Sequence, residues 1–304
     1  MIANKLKKGS SIGIITPSSP LDKKLIEGNI NILKNLGFKV KLGTHIYENL
    51  GYLAGSDVDR ANDLMNMFCD KTIDMILCAR GGYGSMRILP LIDWSVIKYN
   101  PKIFVGFSDI TCLLNEINKR CNLITFHGPM LTSNFEDKYT FKSLFNTLQS
   151  GLNEYTVGSL NLCLRDQKKM ITEGYLVGGN LSLICSTLGT PYEIDTKNKI
   201  LFIEDIDEPP YKIDRMLTQL LISNKLQQCR GFIIGHFTNC YSSSDSISIS
   251  LEQVFRDRLL FLNKPTIMNF CCGHDYPNLT LPIGAKVKLD CINNKIVILD
   301  PVVK

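Results

Sequence analysis

Two segments carry residue types that acyl-transfer chemistry uses. Val105-Gly106-Phe107-Ser108-Asp109-Ile110-Thr111 places a serine where an apolar strand turns into a helix. That placement exposes the hydroxyl at the top of a sheet and aims the N–H of the next residue into the same space. Ser before Asp at a helix start is also an ordinary N-cap, and Ile110 stands where the usual esterase elbow has its second glycine. The second segment, Gly81-Gly82-Tyr83-Gly84-Ser85, follows the apolar run Ile73–Cys78 and Ala79-Arg80. A glycine-rich turn after a buried strand can bring backbone N–H groups against an anion or an oxyanion. Ser85, Met86 and Arg87 follow where a dinucleotide fingerprint needs its last glycine, and no Gly-Lys-Ser/Thr is present for a phosphate loop. The plain alternative is a tight turn that requires positive φ.

A serine nucleophile needs a base, and the base needs an orienting acid. The four histidines make the search short. His45 lies in a Gly-Thr-His-Ile-Tyr loop and His127 in Phe-His-Gly-Pro. His236 ends the run Gly231–Gly235, and His274 lies in Gly273-His274-Asp275-Tyr276-Pro277. His236 and His274 both fall at strand ends, and periodicity does not choose between them. Acids cluster in Leu201-Phe202-Ile203-Glu204-Asp205-Ile206-Asp207-Glu208, where Glu204 ends an apolar strand and a solvated acidic turn is the alternative. A metal would draw on these carboxylates with His236 or His274, or on Cys271, Cys272 and His274. Adjacent cysteines do not readily chelate one ion tetrahedrally, and neither HExxH nor CxxC occurs, so no metal and no cofactor is expected.

The elements that must hold these residues read as strands alternating with helices. Strands are expected at Ser11–Ile15, Phe38–Leu42, Ile73–Cys78 and Ile103–Phe107, with helices at Leu21–Leu36, Asp57–Phe68 and Asp109–Lys119. This alternation predicts an N-terminal, mostly parallel sheet flanked by helices (Rossmann/flavodoxin-like), whose ligands gather at the carboxyl ends of its strands. From about 132 to 172 the chain is polar and reads as a crossing between domains. Beyond it, Tyr175–Val177, Lys199–Ile203 and Gly231–Gly235 read as strands. Helices are expected running to Leu188, over Ile213–Leu226 and near Leu251–Phe261. A hairpin over Ala285–Leu289 and Lys295–Leu299 around Asn293-Asn294 completes a C-terminal α/β domain. The expected division is 1–150 for the first domain, 151–172 for a linker and 173–304 for the second.

Length and composition agree with two domains: 304 residues, 44% hydrophobic and 21% charged, exclude disordered and low-complexity classes. The net charge of +5 is spread with no basic run longer than a pair, so no nucleic-acid partner is expected. No window approaches about 18 uninterrupted apolar residues, and no membrane partner is expected. The basic start Met1–Lys8 is followed only by Ile12–Ile15 before Thr16-Pro17, too short an apolar core for a signal peptide. Eleven cysteines without repeated spacing, several inside apolar stretches (Cys78, Cys112, Cys185), read as buried free thiols of a reducing compartment, which points to the cytoplasm.

Taken in order, the strings Ala79–Ser85, Val105–Thr111 and Phe126-His127-Gly128-Pro129-Met130 resemble the N-terminal half of the LD-carboxypeptidase (muramoyltetrapeptide carboxypeptidase) family of serine peptidases. Gly178-Gly179-Asn180-Leu181-Ser182, Leu201–Asp205, Gly273-His274 and Leu281-Pro282-Ile283-Gly284 resemble its C-terminal half. The resemblance spans Thr16 to Gly284. It implies a Ser–Glu–His triad of Ser108, Glu204 and His274 that removes the terminal D-alanine of murein tetrapeptide in peptidoglycan recycling. It further implies an oxyanion held by the N–H groups of Gly82 and Asp109, a homodimer, and catalysis that requires both domains. Arg80, beside the glycine turn, is a candidate for the substrate's terminal carboxylate, or a brace for its loop. The family also includes the microcin C immunity peptidases, which cleave aminoacyl or peptidyl adenylate analogues. Those members place tryptophans on a loop, whereas this chain has only Trp94.

Overall fold

The computed structural model describes residues 1–150, the backbone of 154–156, and residues 170–242 and 248–304. The chain divides into two units. The first comprises Met1–Leu152, Leu279–Gly284 and Pro301–Lys304, and the second Asn153–Asn278 and Ala285–Asp300.

The first unit begins β1 (Ser11–Ile15), α1 (Lys24–Asn35), β2 (Lys39–Leu42), α2 (Asp57–Cys69) and β3 (Met75–Cys78). It continues α3 (Ser85–Ile88), α4 (Trp94–Tyr99), β4 (Ile103–Gly106), α5 (Thr111–Cys121), β5 (Thr125–His127) and α6 (Lys138–Ser150). Every residue of β3 and β4 is buried, the signature of strands covered on both faces of a parallel sheet. α2 starts where Ser56 accepts the Asp59 N–H, with Asp57 and Asp59 at the positive end of its dipole. α5 does not start at Asp109 as expected. A single tight turn over Ser108–Ile110 precedes it. α6 lies in the stretch read from sequence as a polar crossing. Its buried stripe, Leu144, Phe145 and Leu148, is narrow enough to be outweighed by the surrounding Lys, Asn and Ser.

The second unit contains β6 (Glu154–Thr156), β7 (Ile171–Asn180), α7 (Leu181–Ser186), β8 (Lys199–Ile206), α8 (Pro210–Ile222), α9 (Lys225–Gln228), β9 (Gly231–Thr238), α10 (Leu251–Arg258) and β10 (Thr266–Ile267). The single helix expected over Ile213–Leu226 is two, because Asn224 takes a left-handed conformation between them. Residues 151–153 and 157–169 of the expected linker, and Cys163 with them, lie outside the described residues. The chain then returns to the first unit as β11 (Leu281–Ile283) before the hairpin of β12 (Lys286–Asp290) and β13 (Lys295–Ile298). That hairpin is antiparallel as expected, with Asp290 opposite Lys295.

Among the described residues the first sheet has six strands in the order β11-β5-β4-β3-β1-β2, all parallel except β11, which runs antiparallel to β5. The strand order reverses between β1 and β3, so the crevice outside their carboxyl ends is the fold's natural site. The loops after β1, β3 and β4 meet there. The second sheet has seven strands in the order β10-β9-β8-β7-β12-β13-β6, its first four parallel. Leu201, Ile203, Leu217, Phe232 and Ile234 lie at the centre of its core.

One glycine limits how β7 lies on β8. Gly178 has φ +127°, and a Cβ there would sit 1.9 Å from the Phe202 carbonyl oxygen. Gly178→Ala is expected to destabilise the fold by about 3 kcal/mol or more, because rigid backbone rather than a yielding side chain blocks the methyl. Chemical denaturation of purified variant and parent checks this.

Candidate active site

In the first unit, Ser108 sits between β4 and α5 with φ 61°, a left-handed conformation that serine adopts at a cost of about 1–3 kcal/mol. The glycine turn presses on it: a Cβ at Gly81 would lie 3.0 Å from the Ser108 Cβ and 3.2 Å from its Oγ. Gly82 has φ +107°, and a Cβ there would strike the Ser19 Oγ at 2.3 Å, so only glycine fits. The turn is stitched to the loop after β1. Ser19 accepts the Tyr83 N–H (3.0 Å), and the Ser19 N–H donates to the Gly81 carbonyl (3.3 Å). Arg80 is half-buried and donates from Nη1 to the Pro20 carbonyl at 3.0 Å, bracing that same loop. Asp109 is buried, and its Oδ2 accepts from the Ser18 hydroxyl (2.5 Å) and the Ser85 N–H (2.7 Å). Burial pushes its pKa up, against the pull of those two serines.

In the second unit, Glu204 lies on the last full turn of pleat in β8 and is fully buried. The His274 Nδ1 stands 2.6 Å from its Oε2. Burial disfavours the imidazolium, but the Glu204 charge and hydrogen bond, with Asp205 and Asp207 behind them, outweigh it and hold the His274 pKa above its usual value. The carboxylate therefore fixes Nδ1 as the protonated nitrogen and leaves Nε2 as the basic one. Strand alternation sends the neighbouring Asp205 elsewhere. It accepts from Asn180 Nδ2 (2.9 Å) and from the Ser182 N–H (2.9 Å) and hydroxyl (2.8 Å), pinning the start of α7. Two adjacent acids thus have separate tasks.

The remaining histidines are accounted for otherwise. His236 belongs to β9, its N–H donates to the Cys272 carbonyl (2.9 Å), and burial holds its pKa down despite nearby Asp275 and Glu204. His127 is buried in β5 with its ring edge-on to Phe107. His45 pairs through Nδ1 with Asp63 at 2.9 Å. Among the described residues no group of three or more His, Cys, Asp or Glu is placed to hold a metal ion. Ten cysteines among the described residues are free thiols, eight of them buried. Among the described residues no helix is long and apolar enough to cross a membrane.

The first unit thus holds a left-handed serine at the carboxyl edge of a parallel sheet, and the second a buried acid–imidazole pair; these are the parts that serine-type hydrolases use. Residues 12–128 match the family model for the LD-carboxypeptidase N-terminal domain and residues 173–289 that for the LD-carboxypeptidase C-terminal domain. The chain belongs to the LD-carboxypeptidase family. A probable murein peptide carboxypeptidase of Bacillus subtilis is 44% identical over 300 residues, covering 96% of this chain and 92% of that protein. The structure of a muramoyltetrapeptide carboxypeptidase from Oxalobacter formigenes superposes with a TM-score of 0.84 at 27% identity, covering 96% of this chain and 100% of the other. The microcin C7 self-immunity protein MccF, in its wild-type apo state, superposes with a TM-score of 0.88 at 27% identity over 100% of both chains.

Proposed function

We propose that the protein is a murein LD-carboxypeptidase that hydrolyses the amide before the terminal D-alanine of murein tetrapeptide. Ser108 attacks the carbonyl, His274 Nε2 takes the hydroxyl proton, and Glu204 holds the imidazole tautomer and stabilises its cation. The tetrahedral oxyanion forms against the N–H groups of Gly82 and Asp109, donors worth about 3 kcal/mol each in comparable sites. His274 then protonates the leaving amine, and water repeats the sequence on the acyl-enzyme. Arg80, with Nη1 on Pro20, presents its remaining guanidinium N–H groups to the terminal carboxylate. The observation that carries this reading is the left-handed Ser108 beside the glycine turn, in a chain akin to named murein carboxypeptidases. We place the enzyme in the cytoplasm, as a homodimer; its free, largely buried thiols suit a reducing compartment.

The likeness to MccF motivates a second reading, cleavage of aminoacyl adenylate analogues. Against it stands the single tryptophan. Trp94 begins α4, and the Arg120 guanidinium lies 5.2 Å from its ring centre, so its face is already engaged. Side-by-side turnover of murein tetrapeptide and an aminoacyl-sulfamoyl adenosine tests the choice. The tetrapeptide is expected to have a kcat/KM at least about tenfold higher, a difference of about 1.4 kcal/mol in transition-state binding. A preference for the adenosine compound would replace the first reading with the second.

A further inference from the structure

The two oxyanion donors lie on different loops, Gly82 after β3 and Asp109 after β4. Their spacing is therefore fixed only if something ties those loops together. The tie is the side chain of Asp109 itself. Its Oδ2 takes the Ser85 N–H at 2.7 Å, and the Ser85 hydroxyl donates back to the Asp109 backbone carbonyl. The same oxygen takes the Ser18 hydroxyl at 2.5 Å, adding the loop after β1. Ser18, Ser85 and Asp109 are 0%, 0% and 1% exposed, so water does not compete for these bonds.

A second buried charge grips the same loops from the other side. Arg60 on α2, 1% exposed, donates through Nη1 to the carbonyls of Pro17 and Gly84, and through Nη2 to Asp57. The Gly84–Ser85 peptide is thus held at its oxygen by a guanidinium and at its N–H by a carboxylate. Such an arrangement leaves the glycine turn little freedom next to the position of the reacting oxygen, which is what a preorganised oxyanion site requires.

We propose that the Asp109 carboxylate is a positioning residue for the reaction, setting the Gly82 N–H at its working distance from Asp109's own N–H. The inference rests on the assignment of those two donors above. It assigns to one residue a backbone role and a separate side-chain role. Asn is the informative replacement. Its amide oxygen can take both bonds that Oδ2 accepts, while its NH₂ falls where Oδ1 has no hydrogen-bond partner among the described residues.

The test measures kcat and KM on murein tetrapeptide, and the rate at which a fluorophosphonate labels Ser108, for the parent, Asp109→Ala, Asp109→Asn and Ser18→Ala. Asp109→Ala is expected to lower kcat about 100-fold, the loss associated with one misplaced donor, with KM changed by less than about threefold. Labelling should slow in parallel, since the phosphonyl oxygen uses the same donors. Asp109→Asn should recover at least about tenfold of the lost kcat, and Ser18→Ala should lose about tenfold by removing one of the two bonds. If Asp109→Ala gives no cooperative melt, the Asn and Ser18→Ala variants carry the test. A kcat for Asp109→Ala or Ser18→Ala within about twofold of the parent, or a change in KM alone, overturns the proposal. So does an Asn variant no better than Ala. If the parent is labelled at Ser108 yet does not turn over the tetrapeptide, the substrate assignment fails, and the labelling rates of the variants still decide the role of Asp109.

Discussion

Ser108→Ala is expected to melt like the parent and to lose about 10⁴-fold or more of its turnover of an L,D-tetrapeptide, since nothing else in the mechanism can form the acyl-enzyme. The unchanged melt is part of the expectation. Alanine has the same Cβ as serine, so φ 61° costs it as much, and the strain stored in the turn stays where it was. Glycine behaves differently. Ser108→Gly removes a strain of about 1–3 kcal/mol together with the hydroxyl, so it should be inactive and more resistant to denaturant than either. Hydrolysis retained by Ser108→Ala, measured by release of D-alanine, would remove Ser108 from the mechanism.

Glu204→Gln should lower kcat about 10³- to 10⁴-fold and also change its pH dependence. The carboxylate accepts a proton-bearing Nδ1 at 2.6 Å, whereas an amide can donate to that nitrogen and leave the proton on Nε2, the wrong side for a base. The pH effect has a defined sign. In the proposed mechanism His274 acts when neutral, and its pKa is raised, so activity in the parent should rise with pH along a limb above about 6.5. Loss of the Glu204 charge removes the largest influence that raises it, and burial then pulls the limb to lower pH. Stability follows the same linkage. A His pKa higher in the folded than in the unfolded state stabilises the fold fully below about pH 6.5 and loses that contribution as pH rises through the folded-state value. The glutamine variant should lack this dependence. His236→Asn is the control, expected to reduce kcat less than about tenfold, because its half-buried ring makes no bond to Glu204. A severe loss there with a mild one for His274→Asn would reassign the base.

The architecture was largely legible because its strands are continuous buried runs, such as Ile103–Gly106, and its helices carry ordinary start signals, such as Ser56 before Asp57. α6 was missed because a stripe of three buried apolar residues does not stand out among polar neighbours. Within the site, the position of Ser108 between a strand and a helix is visible in the residues, but its left-handed backbone is not. The pairing of Glu204 with His274 was out of reach of periodicity, since 70 residues separate them and one lies in a loop. Asp109 and Ser85 lie in two of the strings singled out in the sequence, but nothing there shows that their side chains meet. The one trace of the network around Asp109 is a charged residue, Arg60, on the inward stripe of α2, and an arginine that a helix buries has partners to find.

The return of residues 279–284 and 301–304 to the first unit has a consequence for how the protein is made. β11 supplies the partner of β5, and Ala3 bridges to Val303, so a ribosome that has released residues 1–150 has delivered an unfinished sheet with an open edge. Nearly the whole second unit must emerge before that edge is closed. Truncation after residue 150 should therefore yield a sticky, incomplete fragment, and the sheet that carries Ser108 is finished only once Glu204 and His274 have already been translated.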